Sequence, residues 1–341
     1  MDLSQSPSSK TTHNKQSYSC IGRLEEKYKD ISYDSLKEDI EKSIISIKKG
    51  EKNNGYTYDN YKNEFHTLQE YIDYDMIHSV YLGDDIEELC RYSDLKTYKH
   101  NKIEIDTKTK YINASPINII SPNYFIATQG PKSNTIEDFW TMVDQYNCNI
   151  IIMLCKLVVE LGNQKCEEYW STDNKMKKFT LEIVSEKDLF NDTIIIERKI
   201  KLINKKTKKE KIVTQLHYSG WPERGTPEGE KVFKDFIYMI KEIDKLKGEG
   251  PGIVHCKAGV GRTGTFISIY FLYKEIMEQI NDKNLNNIEF SVFNLVRKLK
   301  EMRMYMVHII GQYKFIYEFI EYLLKEYNKG EEQYQNNIDY K

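Results

Sequence analysis

One cysteine in this 341-residue chain lies in a setting that favours nucleophilic chemistry. Cys256 ends a short apolar run (GIVHC), a loop of small residues follows it (KAGVG), and helical periodicity begins at Arg262. The order of strand, glycine-rich loop and helix can turn successive backbone N–H groups toward one point, where the helix N-terminus adds partial positive charge. The segment is therefore predicted to form a cradle for an anion such as a phosphoryl group.

The positive field of such a cradle also favours the thiolate form of a cysteine, which is the nucleophilic form. We therefore predict that Cys256 is a nucleophile. Arg262 could bind two equatorial oxygens of a phosphoryl group with its planar guanidinium and keep these contacts as the transition state forms. Thr263 is predicted to donate its hydroxyl to the thiolate, and Gly259 and Gly261 are predicted to supply the backbone angles that the cradle needs.

For a cysteine taken alone, the alternative is a structural residue in a buried strand that precedes a glycine-rich turn. The longer string is far more specific. HCKAGVGRTG, with Cys and Arg separated by five residues, resembles the signature of the cysteine-based protein tyrosine phosphatases. The resemblance implies that His255 supports the loop. It also implies that the loop binds the phosphate through Lys257, Ala258, Gly259, Val260 and Gly261.

Further motifs extend the resemblance over residues 56–327 and match the tyrosine-specific catalytic domain, not the smaller dual-specificity branch. In chain order they are Glu64, Phe65 and Leu68, RYSD at 91–94, YINA at 111–114, ATQGP at 127–131, DFW at 138–140, KC at 165–166 and YW at 169–170. The resemblance implies the fold of this family, which is an α/β fold with a twisted mixed central β-sheet flanked by helices.

Four side chains take expected roles from this resemblance. Tyr92 would stack on the phenyl ring of the substrate, and the depth that it sets would exclude the shorter phosphoserine. Asp94 would bind backbone N–H groups of the peptide. Glu160 would orient Arg262 through an ion pair, and Lys165 would help to hold a mobile acid loop. The alternatives are an ordinary surface position for Tyr92, one of 26 tyrosines, and plain surface salt bridges for Glu160 and Lys165.

Two departures from the family pattern affect both steps of the reaction. The acid loop matches in HYSGWPE, which includes Trp221, but Glu223 stands where the family usually has Asp. A carboxyl group remains available as a general acid, displaced by one methylene. In MVHIIGQY, His308 replaces the glutamine that usually orients the hydrolytic water and Ile309 replaces a threonine, whereas Gln312 matches a second, retained glutamine.

The sequence thus predicts a protein tyrosine phosphatase that acts on phosphotyrosine-containing proteins through a cysteinyl-phosphate on Cys256, with Glu223 as general acid and no metal or organic cofactor. A phosphotyrosine-binding pseudophosphatase, which holds its ligand without turnover, is the alternative that Glu223 and His308 favour. A dual-specificity or phosphoinositide phosphatase is a third reading, because Lys257 resembles loops of such enzymes, but Tyr92 and the order of the motifs argue against it.

Alternating helix and strand patterns must position these residues. The periodicity predicts a helix over residues 61–80, a buried strand over 150–154, and a hairpin formed by 193–203 and 211–216. A further amphipathic helix before the cradle is predicted to end at Gly248. Four lysines at the hairpin turn are typical of a solvated tip, and a site for an anionic partner is the alternative.

Composition shifts along the chain indicate four segments. Residues 1–20 are polar and are predicted to be disordered, and residues 21–55 show helical spacing and are predicted to form a helical extension. The extension could pack against the main domain or bind a partner. The catalytic domain is predicted over residues 56–328, and residues 329–341 form a polar C-terminal tail.

Charge and cysteine usage disfavour several classes of function. The 50 basic and 52 acidic side chains give a net charge of −2, which argues against nucleic-acid binding by bulk charge. No run approaches the roughly 18 apolar residues of a membrane span, and no secretory signal pattern opens the sequence. Six cysteines without a C-x-x-C pair argue against a disulfide framework or a zinc site, so we expect a reducing, cytoplasmic setting.

Overall fold

The computed structural model describes most of the chain. It covers the backbone of residues 38–49, 59–76, 86–119, 124–157, 166–222 and 225–339, and the side chains of these residues except 70–76 and 330–339. The disorder predicted for residues 1–20 lies outside the described residues.

Seven strands form one twisted, mixed sheet. They are β2 (Ala114–Ile117), β3 (Phe125–Thr128), β4 (Ile150–Met153), β5 (Phe179–Asp188), β6 (Ile195–Asn204), β7 (Glu210–Tyr218) and β8 (Gly252–His255). Their spatial order is β2, β3, β8, β4, β7, β6, β5. The four central strands, from β3 to β7, pair in parallel, and the outer pairs are antiparallel.

The central strands carry the candidate nucleophile to one edge of the sheet. β4 (IIIM) is buried along its whole length, as the sequence predicts, because helices cover both faces of the sheet. The carboxyl ends of parallel strands meet at the same edge, so the residues after β4 and β8 become neighbours. The Leu154 N–H, just past β4, donates to the His255 carbonyl over 2.8 Å. Cys256 follows immediately at this edge.

Six helices flank the sheet within the described residues. They are α1 (Tyr61–Met76), α2 (Ile136–Gln145), α3 (Glu230–Leu246), α4 (Gly261–Asn281), α5 (Val292–Met302) and α6 (Ile310–Asp339). The helix predicted over 61–80 is confirmed as far as Met76. α3 buries the predicted apolar face and ends two residues before Gly248.

The predicted hairpin is confirmed, and its second strand is longer than the pattern indicated. β6 and β7 pair antiparallel from Ile195 opposite Tyr218 to Ile203 opposite Glu210. Its turn exposes the four lysines. Among the described residues, no helix is both long and apolar enough to cross a bilayer.

Two terminal segments differ from the prediction. Residues 38–42 are helical, but Ile45–Lys48 forms a strand, β1, that pairs antiparallel with β9 (Asn287–Phe290), so a helical extension is wrong there. The sequence ISIK also alternates with period two, and this alternation buries Ile47 while Ser46 and Lys48 stay exposed. At the other end, the polar tail predicted from residue 329 continues α6 to Asp339.

Candidate active site

Cys256 lies at the start of a tight loop, which we call the phosphate loop (residues 256–261), between β8 and α4. Its side chain is buried, and the Gly259 N–H donates to Cys256 Sγ over 3.3 Å. α4 begins at Gly261, so the N-terminal end of a 21-residue helix adjoins the loop. The predicted arrangement of strand, loop and helix is therefore present, with one loop amide directed at the sulfur.

The two loop glycines are required for different reasons. Gly259 has a φ of +73°, and a Cβ there would lie 2.1 Å from the Thr128 carbonyl oxygen, so both the backbone angle and the space demand glycine. Gly261 does not occupy the left-handed region. A Cβ there would instead lie 2.8 Å from Gln312 Oε1, so the angle predicted for Gly261 is wrong and its requirement is steric.

Arg303 braces the phosphate loop from behind, and the sequence analysis missed it. Its fully buried guanidinium donates to the Gly259 carbonyl over 2.8 Å, to the Ala258 carbonyl over 3.3 Å and to Asn113 Oδ1 over 2.7 Å. Burial lowers the pKa of Arg303 to about 10, which leaves it charged at neutral pH. The Ala258 and Gly259 carbonyls point toward Arg303 and away from the cradle, so the loop amides can face the cradle.

His255 supports the backbone of the nucleophile. Its Nδ1 lies 3.2 Å from the Cys256 carbonyl and its Nε2 lies 2.8 Å from the Tyr169 hydroxyl, to which Gln215 Nε2 donates over 2.7 Å. Burial lowers the pKa of His255 to about 3, so the ring is neutral. A carbonyl can only accept, so Nδ1 carries the proton and Tyr169 donates to Nε2. The ring therefore fixes the carbonyl of Cys256.

Arg262 connects the phosphate loop to the acid loop. Its guanidinium donates to the Leu154 carbonyl over 3.2 Å and to the Pro222 carbonyl over 2.8 Å. Trp221 is buried, and its Nε1 donates to the Gly225 carbonyl over 3.2 Å, so both sides of the acid position are anchored. Glu223 itself lies outside the described residues and remains a prediction.

Glu160 and Lys165 also lie outside the described residues. The ion pair expected between Glu160 and Arg262, and the hold of Lys165 on the acid loop, therefore remain predictions.

The recognition loop (residues 91–94) is tied to the phosphate loop through a shared segment. Arg91 Nε donates to the Gly130 carbonyl over 2.6 Å, and the Gly130 N–H donates to the Lys257 carbonyl over 3.0 Å. The ring of Tyr92 is 38% exposed, and Lys257 Nζ lies 5.4 Å from its centroid. Tyr92 thus lies beside the phosphate loop, and Asp94 is exposed; the substrate contacts expected of these two residues remain predictions.

Thr263 does not make the predicted hydrogen bond to the nucleophile. Its Oγ1 is buried, and among the described residues it has no hydrogen-bond partner. Cys256 Sγ accepts instead from the Gly259 N–H. The position of Thr263 in the first turn of α4 keeps its hydroxyl out of hydrogen-bond reach of the sulfur.

Gln312 and His308 lie together at one side of the cradle. The largely buried Gln312 side chain lies against Gly261, and its Oε1 accepts from the His308 N–H over 3.0 Å. The His308 ring is exposed and meets the Tyr305 ring edge-on, with 5.6 Å between centroids. Desolvation and Lys300 lower the pKa of His308, against an opposing effect of Asp94. At neutral pH His308 is therefore a neutral imidazole.

The backbone that presents His308 is strained and closely packed. Tyr305 and Val307 have φ values of 59° and 56°, and a positive φ is unfavourable for a β-branched residue such as Val307. The Val307 N–H donates to the Val260 carbonyl over 3.4 Å, and a Cβ at Gly264 would lie 2.5 Å from Val307 N. The first turn of α4 therefore fixes the position of this segment relative to the cradle.

Comparison with known proteins agrees with this geometry. The family model "Protein-tyrosine phosphatase" matches residues 87–322. The chain belongs to the protein tyrosine phosphatase family.

Similar proteins include tyrosine-protein phosphatase non-receptor type 20 of Mus musculus, 34% identical over 238 residues, which cover 67% of this chain and 52% of the relative. Receptor-type tyrosine-protein phosphatase epsilon of Homo sapiens is 34% identical over 242 residues, which cover 68% of this chain and 33% of the relative. The chain thus spans about half or less of the length of these two relatives.

Solved structures confirm the predicted fold. The catalytic domain of human protein tyrosine phosphatase non-receptor type 18 superposes with a TM-score of 0.67 at 26% identity, covering 77% of this chain and 96% of that chain. A structure of the same phosphatase described as "PTPN18 in complex with HER2-pY1196 phosphor-peptides" has a TM-score of 0.67 at 26% identity and covers 76% of this chain and 91% of that chain.

Proposed function

We propose that this chain hydrolyses phosphotyrosine in proteins through a cysteinyl-phosphate on Cys256. The observation that carries the proposal is the position of Cys256 Sγ at a helix N-terminus, where it accepts the Gly259 N–H over 3.3 Å in a loop that Arg303 braces. This setting places a nucleophilic sulfur next to a loop and a helix N-terminus that favour an anionic ligand.

In the first step the Cys256 thiolate attacks phosphorus in line with the aryl oxygen, so that an S–P bond forms and the P–O bond to the phenol breaks. The loop amides and the Arg262 guanidinium stabilise the three equatorial oxygens. Glu223 protonates the departing phenolate. Its longer side chain must fold back to reach the oxygen, which makes this step slower than with aspartate.

In the second step water attacks the phosphocysteine, the S–P bond breaks, and phosphate and the thiolate are released. The neutral His308 imidazole and the Gln312 amide both lie at this side of the cradle and could position the water, with Glu223 accepting its proton. An imidazole presents its donor and acceptor in a different geometry from a primary amide, so this step is also slowed.

A second candidate function is phosphotyrosine binding without turnover. The observation that favours it is that both departures from the family pattern, Glu223 and His308, concern proton transfer or water, and neither concerns phosphate binding. The intact Cys256 and Arg262 favour the enzyme. Tyr92 beside the phosphate loop supports phosphotyrosine proteins as the partners of either function, as do phosphopeptide complexes of a structural neighbour.

A steady-state assay separates the two functions. The chain should release phosphate from a phosphotyrosine peptide and from a small aryl phosphate, and Cys256→Ser should abolish release while retaining peptide affinity. No release by the native chain, together with tight phosphopeptide binding, would establish the binding function instead. A cytoplasmic setting and a role in signalling remain part of the proposal.

A further inference from the structure

A groove of about 560 Å³ lies beside the candidate active site, between the segment that follows the acid loop and the exposed side of α6. Gly311 lines its near end, one residue before Gln312, and a Cβ at Gly311 would meet no atom within 4 Å. The groove is therefore open at Gly311, next in the chain to Gln312, whose side chain lies against the phosphate loop. A peptide whose phosphotyrosine occupies the cradle can extend along it.

The groove has an aromatic floor that carries one hydroxyl group. The Phe233 and Tyr322 rings pack with 5.2 Å between centroids, and both are buried. Tyr322 is only 7% exposed, yet no residue in the described part of the chain forms a hydrogen bond with its hydroxyl. Because Tyr322 lines the groove, its hydroxyl is available to a ligand there.

The charge of the groove is negative after its internal ion pairs are counted. Lys314 pairs with Glu318 over 2.7 Å and Lys325 with Glu230 over 3.8 Å. Two more carboxylates, Glu228 and Glu321, line the groove without an ion-pair partner among the described residues. Burial, Glu326 and Glu230 raise the pKa of Tyr322, which agrees with a negative field at the floor.

We propose that this groove binds an arginine or lysine side chain of the phosphotyrosine substrate. Glu228, Glu321 and the Tyr322 hydroxyl are all able to accept, and a guanidinium or an ammonium carries donors only. The apolar surface that Phe233 and Tyr322 contribute to the groove suits the aliphatic stem of either side chain. The inference rests on the proposed function, because it assigns a substrate preference to the same catalytic site.

The position of the basic residue follows from the length of α6. Glu321 lies ten residues beyond Gly311, which corresponds to about 15 Å at about 1.5 Å per helical residue. An extended peptide advances about 3.3 Å per residue, so it spans this distance in four to five residues. The preferred substrate therefore carries its basic residue about five positions from the phosphotyrosine, on the side that runs along α6.

The test compares pairs of phosphotyrosine peptides that differ only by arginine or citrulline, placed three to six positions away on either side. Citrulline keeps the shape of arginine and removes its charge. Affinities are measured by fluorescence anisotropy with the Cys256→Ser protein, and kcat/KM with the native chain. At one position the arginine peptide should bind about three- to tenfold more tightly, as expected for two partly exposed charge pairs.

Matched variants assign the preference to the groove. In the Cys256→Ser background, Glu228→Gln with Glu321→Gln should bring the ratio of the two affinities close to one, and Tyr322→Phe should reduce it in part. Glu278→Gln, an exposed carboxylate on α4 outside the groove, should leave the ratio unchanged. The ratio cancels any general change in folding or phosphate binding.

Two results would overturn the inference: equal affinity for arginine and citrulline at every position, or an arginine preference that survives in the Glu228→Gln, Glu321→Gln protein. Neither result bears on catalysis. Failure of the native chain to hydrolyse any of the peptides would contradict the proposed function, and the affinity ratio would still decide the groove. If the Cys256→Ser protein binds no phosphopeptide and the native chain hydrolyses none, both proposals fail.

Discussion

Arg303 Nε donates to the Gly259 carbonyl over 2.8 Å, although the two residues are 44 positions apart in the sequence. The same guanidinium reaches Asn113 Oδ1, and Asn113 Nδ2 donates to the Leu95 carbonyl over 2.7 Å. One buried cation therefore links the phosphate loop to the segment that follows the recognition loop. The orientation of the loop amides depends on a residue that touches no substrate.

Replacement of this cation should damage the cradle more than the rest of the fold. Arg303→Lys keeps a positive charge but cannot reproduce the fork that contacts Gly259, Ala258 and Asn113. A buried group left without its partner costs about 1 to 3 kcal/mol. We expect a lower Tm and a loss of roughly a hundredfold in kcat/KM for an aryl phosphate. Unchanged kcat/KM in a folded Arg303→Lys protein would show that the brace is dispensable.

The two loop glycines should respond differently to alanine. Gly259→Ala places a Cβ against backbone atoms of Thr128 at a positive φ, so it should lower the Tm and abolish vanadate binding. Gly261→Ala meets only the end of the Gln312 side chain, which can move. It should be milder, and Gln312→Ala in the same protein should restore the Tm. Thermal unfolding with and without vanadate measures both effects, and an equal loss of Tm in the two single variants would contradict this explanation.

Acid should destabilise the protein through its buried histidines. Burial lowers the pKa of His217 to about 4 from an ordinary value near 6.5, so the unfolded chain takes up a proton at a higher pH than the folded chain. The stabilisation is complete above pH 6.5 and is lost progressively as the pH falls toward 4. Between pH 7.5 and pH 5 the loss is about 2 kcal/mol for this residue.

His217→Gln should remove that part of the pH dependence, because the amide can still donate to the Cys155 carbonyl, which His217 Nε2 contacts over 2.8 Å. Urea unfolding at the two pH values gives the difference in free energy of unfolding. The native chain should lose more stability than the variant on acidification. An identical loss in both proteins would mean that His217 is already protonated in the folded state or does not control the transition.

The carboxylate of Glu223 should act as a general acid that is poorly placed. Glu223→Asp should raise kcat for aryl phosphates with poor leaving groups by roughly tenfold, equivalent to about 1.4 kcal/mol of barrier, and should matter less for nitrophenyl phosphate. Glu223→Ala should lower kcat and keep phosphopeptide affinity, because Arg262 and the loop amides bind the phosphate. An unchanged kcat for Glu223→Ala on a phosphotyrosine peptide would exclude Glu223 as the acid.

The phosphate loop could be predicted from the sequence because its parts are contiguous. Strand, loop, cysteine and helix lie within residues 252–265, where local pattern and spacing are sufficient. Arg303 could not be found in this way, because a buried arginine has no local signature and its partners lie up to 190 positions away. The steric demand at Gly261 was missed for the same reason, since the side chain in the way belongs to Gln312, which is far from Gly261 in the sequence.

The error at Ile45–Lys48 has a different origin. Isoleucines spaced to suit a helix also alternate with polar residues, and only the presence of β9 as a pairing strand decides between the two periods. The hydrogen bond predicted for Thr263 is wrong because the sequence shows which groups can donate to a sulfur but not which of them lie within reach of it. The sequence thus predicted the chemical type of each group but not which groups lie next to one another in the fold.

The central claim is that Cys256 carries the phosphoryl group, and it can be tested by trapping the intermediate. Because His308 and Ile309 replace the residues that usually favour water attack, phosphocysteine should accumulate during turnover of a phosphotyrosine peptide. Rapid acid quench followed by peptide mass spectrometry should find the mass of one phosphoryl group on Cys256 of the native chain. The His308→Gln, Ile309→Thr protein should show a smaller amount of this modified peptide. Phosphate release that continues with Cys256→Ser would contradict the account.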